Sequence, residues 1–184
     1  MLQVKVIQNM SEVDRDKWDA LVGDGSPFLE WDWLACLEEA RCVTSRSGWQ
    51  PQHLTVYDGG RLIAACPLYL KGHSMGEFVF DHSWVEAAHR AGIEYYPKLL
   101  VAPPFTPATG VRFLNAPEGD RPALIRLLGQ TLQEVCKQNG LSSLHTSCRV
   151  CPRRRINAGR SPSGAVRNRT PVAGVNGAAT RSLG

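Results

Sequence analysis

The chain has 184 residues, 43% of them hydrophobic, and a formal net charge of +4 at pH 7. That length suits one domain of ordinary size, and no apolar run approaches the ~20 residues that a membrane-spanning helix needs. The charge is uneven: residues 147–184 carry eight arginines and no lysine, acid or aromatic residue, while the other 13 of the 21 basic residues face all 17 acids, a balance of −4. Whole-chain charge is therefore no argument for a nucleic-acid-binding body.

The opening segment MLQVKVIQNMSEVDRDKW has no basic stretch followed by an apolar one, so no secretory signal is expected and a cytoplasmic protein is. Residues 2–8, LQVKVIQ, alternate and predict a first strand. Ser11 then opens a helix as N-cap, with Asp14 three residues on, and Val13, Trp18, Leu21 and Val22 form its apolar face up to Gly23. A second helix follows Ser26-Pro27 and carries Phe28, Trp31, Leu34, Ala35 and Leu37 at helical spacing. QHLTVYD, Gly59-Gly60 and RLIAACPLYLK predict a hairpin closed by a tight glycine turn. A short strand at 76–81, a helix at about 82–92 and a strand from Tyr95 to Ala102 come next. Arg121–Asn139 is an amphipathic helix with Leu124, Leu127, Leu128, Leu132 and Val135 on one side, ended by Gly140, and LSSLHT starts a further strand. The fold class is α/β with a mixed sheet.

Beyond residue 146 the hydrophobic period stops. SCRVCPRRRINAGRSPSGAVRNRTPVAGVNGAATRSLG is too poor in large apolar residues to make a core. The expected division is a partial domain over 1–146 and a disordered, Arg-rich tail over 147–184. An arginine bias with Ala, Gly, Pro, Ser and Val is also what GC-rich coding DNA yields out of frame, so the tail is expected to be non-family sequence. A fold stopping there leaves Leu141, Leu144 and one face of the 121–139 helix facing water.

The segments HSMGEFVFDHSW and IEYYPKLLVAPPFTPATG concentrate chemistry beside strands, where a rigid sheet presents functional loops. Glu77 and Asp81 flank the apolar FVF, and His73, Tyr95, Tyr96 and Lys98 could move protons or contact an oxyanion. The plainer alternative makes Tyr95 and Tyr96 half-buried sheet residues and Asp81 a helix cap. Cys148-Arg-Val-Cys151 has the spacing of half a zinc site, but no second pair exists, and no metal is expected. The six cysteines, Cys36, Cys42, Cys66 and Cys136 among them, read as free thiols in a reducing compartment. Neither a Walker loop nor G-x-G-x-x-G nor G-x-S-x-G occurs.

Three blocks, SPFLEWDWLACLEEARCV, GWQPQHLTVYDGGRLIAACPLYLKGHSMGEFVFD and YYPKLLVAPPFTPATG, resemble the signature segments of the FemAB-like proteins of peptidoglycan biosynthesis/recognition, in the GNAT N-acyltransferase superfamily. The resemblance runs from about Ser26 to His145. It implies a GNAT-like fold, incomplete at the C-terminus, and transfer of an acyl or aminoacyl group to an amine, in peptidoglycan precursor metabolism. The implied donor is acyl-CoA or aminoacyl-tRNA, although the pyrophosphate loop R/Q-x-x-G-x-G/A of acetyl-CoA users is not visible. Position within the matching blocks, with side-chain chemistry, implies Glu77 or Asp81 as the base, Tyr96 and Lys98 near the acceptor, and Thr106 and Thr109 shaping the loop. Two other readings stand beside it: a module that binds a cell-wall precursor or peptide without turnover, and nucleic-acid association through Arg149, Arg153, Arg154, Arg155, Arg160, Arg167 and Arg169.

Overall fold

The computed structural model describes residues 1–75, 81–106, 108 and 110–146. Most of the expected strand at 76–81 lies outside the described residues, as do Glu77, Thr109, Cys148, Cys151 and the segment 147–184. The described chain runs β1 (Leu2–Ile7), α1 (Arg15–Val22), α2 (Trp31–Glu39), β2 (Trp49–Pro51), β3 (His53–Asp58), β4 (Arg61–Cys66) and β5 (Leu68–Lys71). It continues with α3 (His82–Arg90), β6 (Lys98–Val101), β7 (Leu114–Asn115), α4 (Arg121–Gln138) and β8 (Leu144–Thr146). The architecture is mixed α/β, as expected. The described strands form two four-stranded sheets, β1-β3-β4-β7 and β2-β5-β6-β8, rather than one. Among them only β6 and β8 pair in parallel.

The split has a local cause. Residues 49–71 form one long hairpin that passes through both sheets and bends where Gln52 separates β2 from β3 and Pro67 separates β4 from β5. Proline has no N–H for the ladder. Beside it the Gln52 N–H donates to the Leu68 carbonyl at 2.8 Å, while the Leu68 N–H donates to His53 Nδ1 at 3.3 Å. Because Nδ1 accepts, Nε2 carries the proton and donates to Glu38 Oε1 at 3.1 Å. The other Glu38 oxygen accepts from the Met10 N–H at 2.8 Å. A fully buried histidine thus ties α2 to the junction of the two sheets. At the far end of the hairpin, Gly59 and Gly60 take φ of 56° and 84°, as a two-residue turn between Asp58 and Arg61 requires.

The first helix is capped differently from the expectation. Residues 10–12 form a short 3-10 turn in which Glu12 accepts from the Gln8 and Asn9 N–H groups. The α-helix proper starts at Arg15, and Asp14, not Ser11, caps it by accepting from the Lys17 N–H at 3.0 Å. The carboxylate wins because it also meets the positive end of the helix dipole. Asp14→Ala should therefore cost ~1 kcal/mol in urea unfolding, whereas Ser11→Ala should change stability by under ~0.5 kcal/mol. The reverse order would return the cap to Ser11.

Of three apolar clusters among the described residues, the two larger hold most of the layers together. One joins α1 and α2 to the first sheet through Trp18, Leu21, Leu29, Leu34, Leu62 and Leu114. The other lies under α4, whose Leu124, Leu128, Leu132 and Cys136 cover Leu54, Val56 and Ala64 of the first sheet and Leu68, Leu99 and Val101 of the second. One helix spans the break between sheets. Leu141 and Leu144 are partly buried against this cluster, so the expectation that they and the helix face would meet water does not hold. The strand expected from Tyr95 begins only at Lys98, after Pro97. Among the described residues no helix is long and apolar enough to cross a membrane.

Candidate functional site

Alternation along β6 decides what faces the site. Leu99 and Val101 point into the α4 cluster, so Lys98 and Leu100 point to the opposite face. Register carries this face across the sheet: Lys98 lies opposite Lys71 on β5, Leu100 opposite Tyr69 on β5 and His145 on β8. Two lysines, 2% and 4% exposed, are therefore neighbours on adjacent strands. Buried like charges need strong compensation. Lys71 Nζ stands 4.5 Å from the Trp49 ring centroid and donates to the His73 carbonyl. Lys98 Nζ donates to Asp81 Oδ2 at 2.8 Å and stands 3.9 and 4.9 Å from the Tyr95 and Tyr96 ring centroids.

Asp81 gathers the cluster. It occupies the N-cap position of α3, yet its side chain makes no capping bond to that helix. The carboxylate turns to the sheet instead, where the Tyr96 hydroxyl donates to both its oxygens at 2.8 Å. With that proton engaged, the Ser74 hydroxyl, 2.6 Å away, donates to the Tyr96 oxygen. Burial pushes the Asp81 carboxyl up, but hydrogen bonds from Lys98 and Tyr96 and the lysine charge outweigh it and bring its pKa down to about 2. Burial and the Asp81 charge push the Tyr95 and Tyr96 hydroxyls well above their ordinary value, so both stay protonated at neutral pH. On the neighbouring strand His145 lies with its ring 6.3 Å from that of Tyr95 and Nε2 3.0 Å from Ser143 Oγ. Burial first, then Lys98, holds its pKa below 6.5, with Asp81 opposing.

Tyr95 and Tyr96 also wall an open groove of about 430 Å3 with Val85, His89, Ile93 and Glu94. A second cavity, of about 560 Å3, lies between the α1–α2 connection and residues 110–115 and contains none of the cluster. Of the residues singled out from the sequence, the fold brings Asp81, Tyr95, Tyr96 and Lys98 together. His73 sits one residue from Ser74 but is turned away, its Nε2 3.1 Å from the Arg46 carbonyl. Thr106 Oγ1 accepts from the Ala108 N–H at 3.2 Å within its own loop. Tyr95 and Tyr96 are half-buried, as the plainer alternative held, but precede the strand. Two members of the site were missed. Ser74 lay inside a segment already singled out, and strand alternation in LSSLHT would have put His145 on the face opposite Leu144. Among the described residues no group of three or more His, Cys, Asp or Glu could hold a metal ion.

The fold and site thus define a mixed α/β domain with a carboxylate-centred tyrosine–lysine cluster at the start of a strand that has a parallel neighbour. The family model for FemAB-like proteins, described as peptidoglycan biosynthesis/recognition, matches residues 9–161, and the chain belongs to that family. No curated protein matches. Among solved structures, a tandem GNAT protein from the clavulanic acid biosynthesis pathway, determined without acetyl-CoA, is 13% identical over 79% of this chain, with a TM-score of 0.45. This chain spans 36% of that protein's length. A ribosomal-protein-alanine N-acetyltransferase from Brucella melitensis biovar Abortus 2308 is 10% identical, with 91% of this chain and 98% of that one covered and a TM-score of 0.46.

Proposed function

We propose that the chain carries out N-acyl or aminoacyl transfer to an amine of a peptidoglycan precursor, with the Asp81 cluster as its polar centre. The observation that supports it best is the Lys98 ammonium, an N–H donor with hydrogens to spare, fixed on a carboxylate that the Tyr96 O–H also holds beside an open groove. Acyl transfer develops negative charge on the carbonyl oxygen, and fixed donors lower that barrier. Asp81, with a pKa of about 2, takes up a proton poorly near neutral pH, so its part is to hold Tyr96 and Lys98 in place. The donor is an acyl-CoA or an aminoacyl-tRNA. At the start of α4 the Asp120 carboxylate already accepts from the Ala123 N–H at 3.1 Å. A phosphate there would meet a like charge, so a CoA pyrophosphate would be held elsewhere.

The test is incubation of the purified protein with acetyl-CoA, or with aminoacyl-tRNA, and a precursor stem peptide bearing a free amine, read by mass spectrometry. A gain of one acyl or aminoacyl group is the expected result. Tyr96→Phe should lower kcat by roughly 10²-fold with little change in KM, because it loosens the carboxylate that positions Lys98. Peptide binding without a mass gain from either donor would replace transfer with recognition, and equal rates in Tyr96→Phe and wild type would remove the tyrosine from the chemistry.

A further inference from the structure

We propose that His145 is the base that receives the proton of the attacking amine, an inference that rests on the transfer reading above. β8 is the parallel neighbour of β6 and places His145 on the same sheet face as Lys98. Both neighbour the Tyr95 ring, with Lys98 Nζ 3.9 Å from its centroid and the His145 ring edge-on at 6.3 Å. Among the described residues, the charged and titratable groups turned toward the imidazole are Lys98 of β6, Asp81 at the start of α3 and Tyr95 of the segment leading into β6.

A base working near neutral pH must be unprotonated yet bind a proton readily. Asp81 fails the second condition, since its oxygens are occupied by Tyr96 and Lys98. Tyr95 and Tyr96 fail the first, and Lys98 is committed to the carboxylate. His145 meets both: its half-buried ring is kept neutral by burial and by the nearby ammonium, and Ser143 Oγ orients one nitrogen.

In the step, the neutral amine nitrogen bonds to the donor's carbonyl carbon, and the bond from that carbon to the donor sulfur or oxygen breaks. His145 accepts one proton from the nitrogen as it becomes an amide. The imidazolium returns that proton to the leaving thiolate or alkoxide, so the ring ends neutral and one thiol or alcohol is released.

The experiment compares the wild type with His145→Gln, His145→Ala and Glu77→Gln, using whichever donor supports transfer. In the wild type, kcat/KM should fall on the acidic side with an apparent pKa equal to that of His145 measured by NMR titration of its imidazole. His145→Gln should lose that acidic limb and ~10²–10³-fold in kcat, and added imidazole should restore part of the activity of His145→Ala. A limb whose pKa differs from the titrated value of His145 overturns the assignment even if neither variant folds. So does a folded His145→Gln with the wild-type kcat and limb, or loss of the limb in Glu77→Gln alone. No transfer by the wild type with either donor overturns the transfer reading, and the assignment with it.

Discussion

Trp18→Ala should lower the melting midpoint by ~6–20 °C. Trp18 is completely buried at the centre of the cluster that joins α1 and α2 to the first sheet. Its Nε1 donates to the Leu29 carbonyl at 2.8 Å, and its ring meets that of His53 edge-on at 6.1 Å. Truncation removes the largest apolar surface of the cluster, leaves a cavity and strips the Leu29 carbonyl of a donor. Cavity-forming losses of this kind cost ~3–5 kcal/mol, and in a chain of this size each kcal/mol moves the midpoint by ~2–4 °C. Thermal melting followed by near-UV circular dichroism checks the figure. A shift of under ~3 °C would mean that this cluster closes without the indole.

Lys98→Met should destabilise the fold by roughly 3 kcal/mol at pH 7 and also alter its acid response. Lys98 and Asp81 side chains are 5% and 19% exposed, and removing one member of a buried pair strands the other charge. The Tyr96 hydroxyl, itself held by Ser74, keeps part of the carboxylate's solvation, which places the effect at the lower end of the range. Asp81 has a folded pKa of about 2, below its value near 3.9 in an unfolded chain. Its contribution is present above about pH 4 and disappears as pH falls through about 2, where the unfolded state binds the extra proton first. That linkage is roughly 2 kcal/mol in the wild type. Without the lysine the folded pKa rises, so stability should fall less between pH 4 and 2, and the gap between variant and wild type should narrow. Adding Asp81→Asn to Lys98→Met should recover at least half of the loss at pH 7. Urea midpoints at pH 7, 4 and 2.5 test all three statements. Parallel curves for wild type and variant would show that Lys98 does not hold the carboxylate down.

Segments whose local signals agreed were legible in the chain itself. The 3.6-residue spacing of leucines between Arg121 and Asn139, closed by Gly140, became α4 with Leu124, Leu128 and Leu132 buried. The paired glycines at 59 and 60 became the hairpin turn because both positions need positive φ. Errors fell where two signals competed within a few residues. Ser11 and Asp14 both suit an N-cap, and the 3-10 turn at residues 10–12 moved the helix start three residues on. Pro67 lay inside what read as one apolar run, and the sheet broke there. Short strands such as β2 and β7 carry too few residues for any period to register.

The same division runs through the site. Residue types and turn-rich segments by themselves marked the stretch from His73 to Gly110 as the candidate for chemistry, and the three signature blocks were enough to indicate the family to which the chain belongs. Which side chains meet was decided only by the tertiary structure. Asp81 had two local partners to choose from, the first turn of α3 or the start of β6, and both are compatible with its sequence neighbours. Packing put the Tyr96 hydroxyl and Lys98 Nζ each 2.8 Å from its carboxylate, with Ser74 Oγ 2.6 Å from the Tyr96 hydroxyl, and the charged bonds outcompete the cap. His145 is remote from all of these along the chain and joins them through the parallel pairing of β6 with β8. A contact of that kind depends on sheet order and register, which no local pattern encodes.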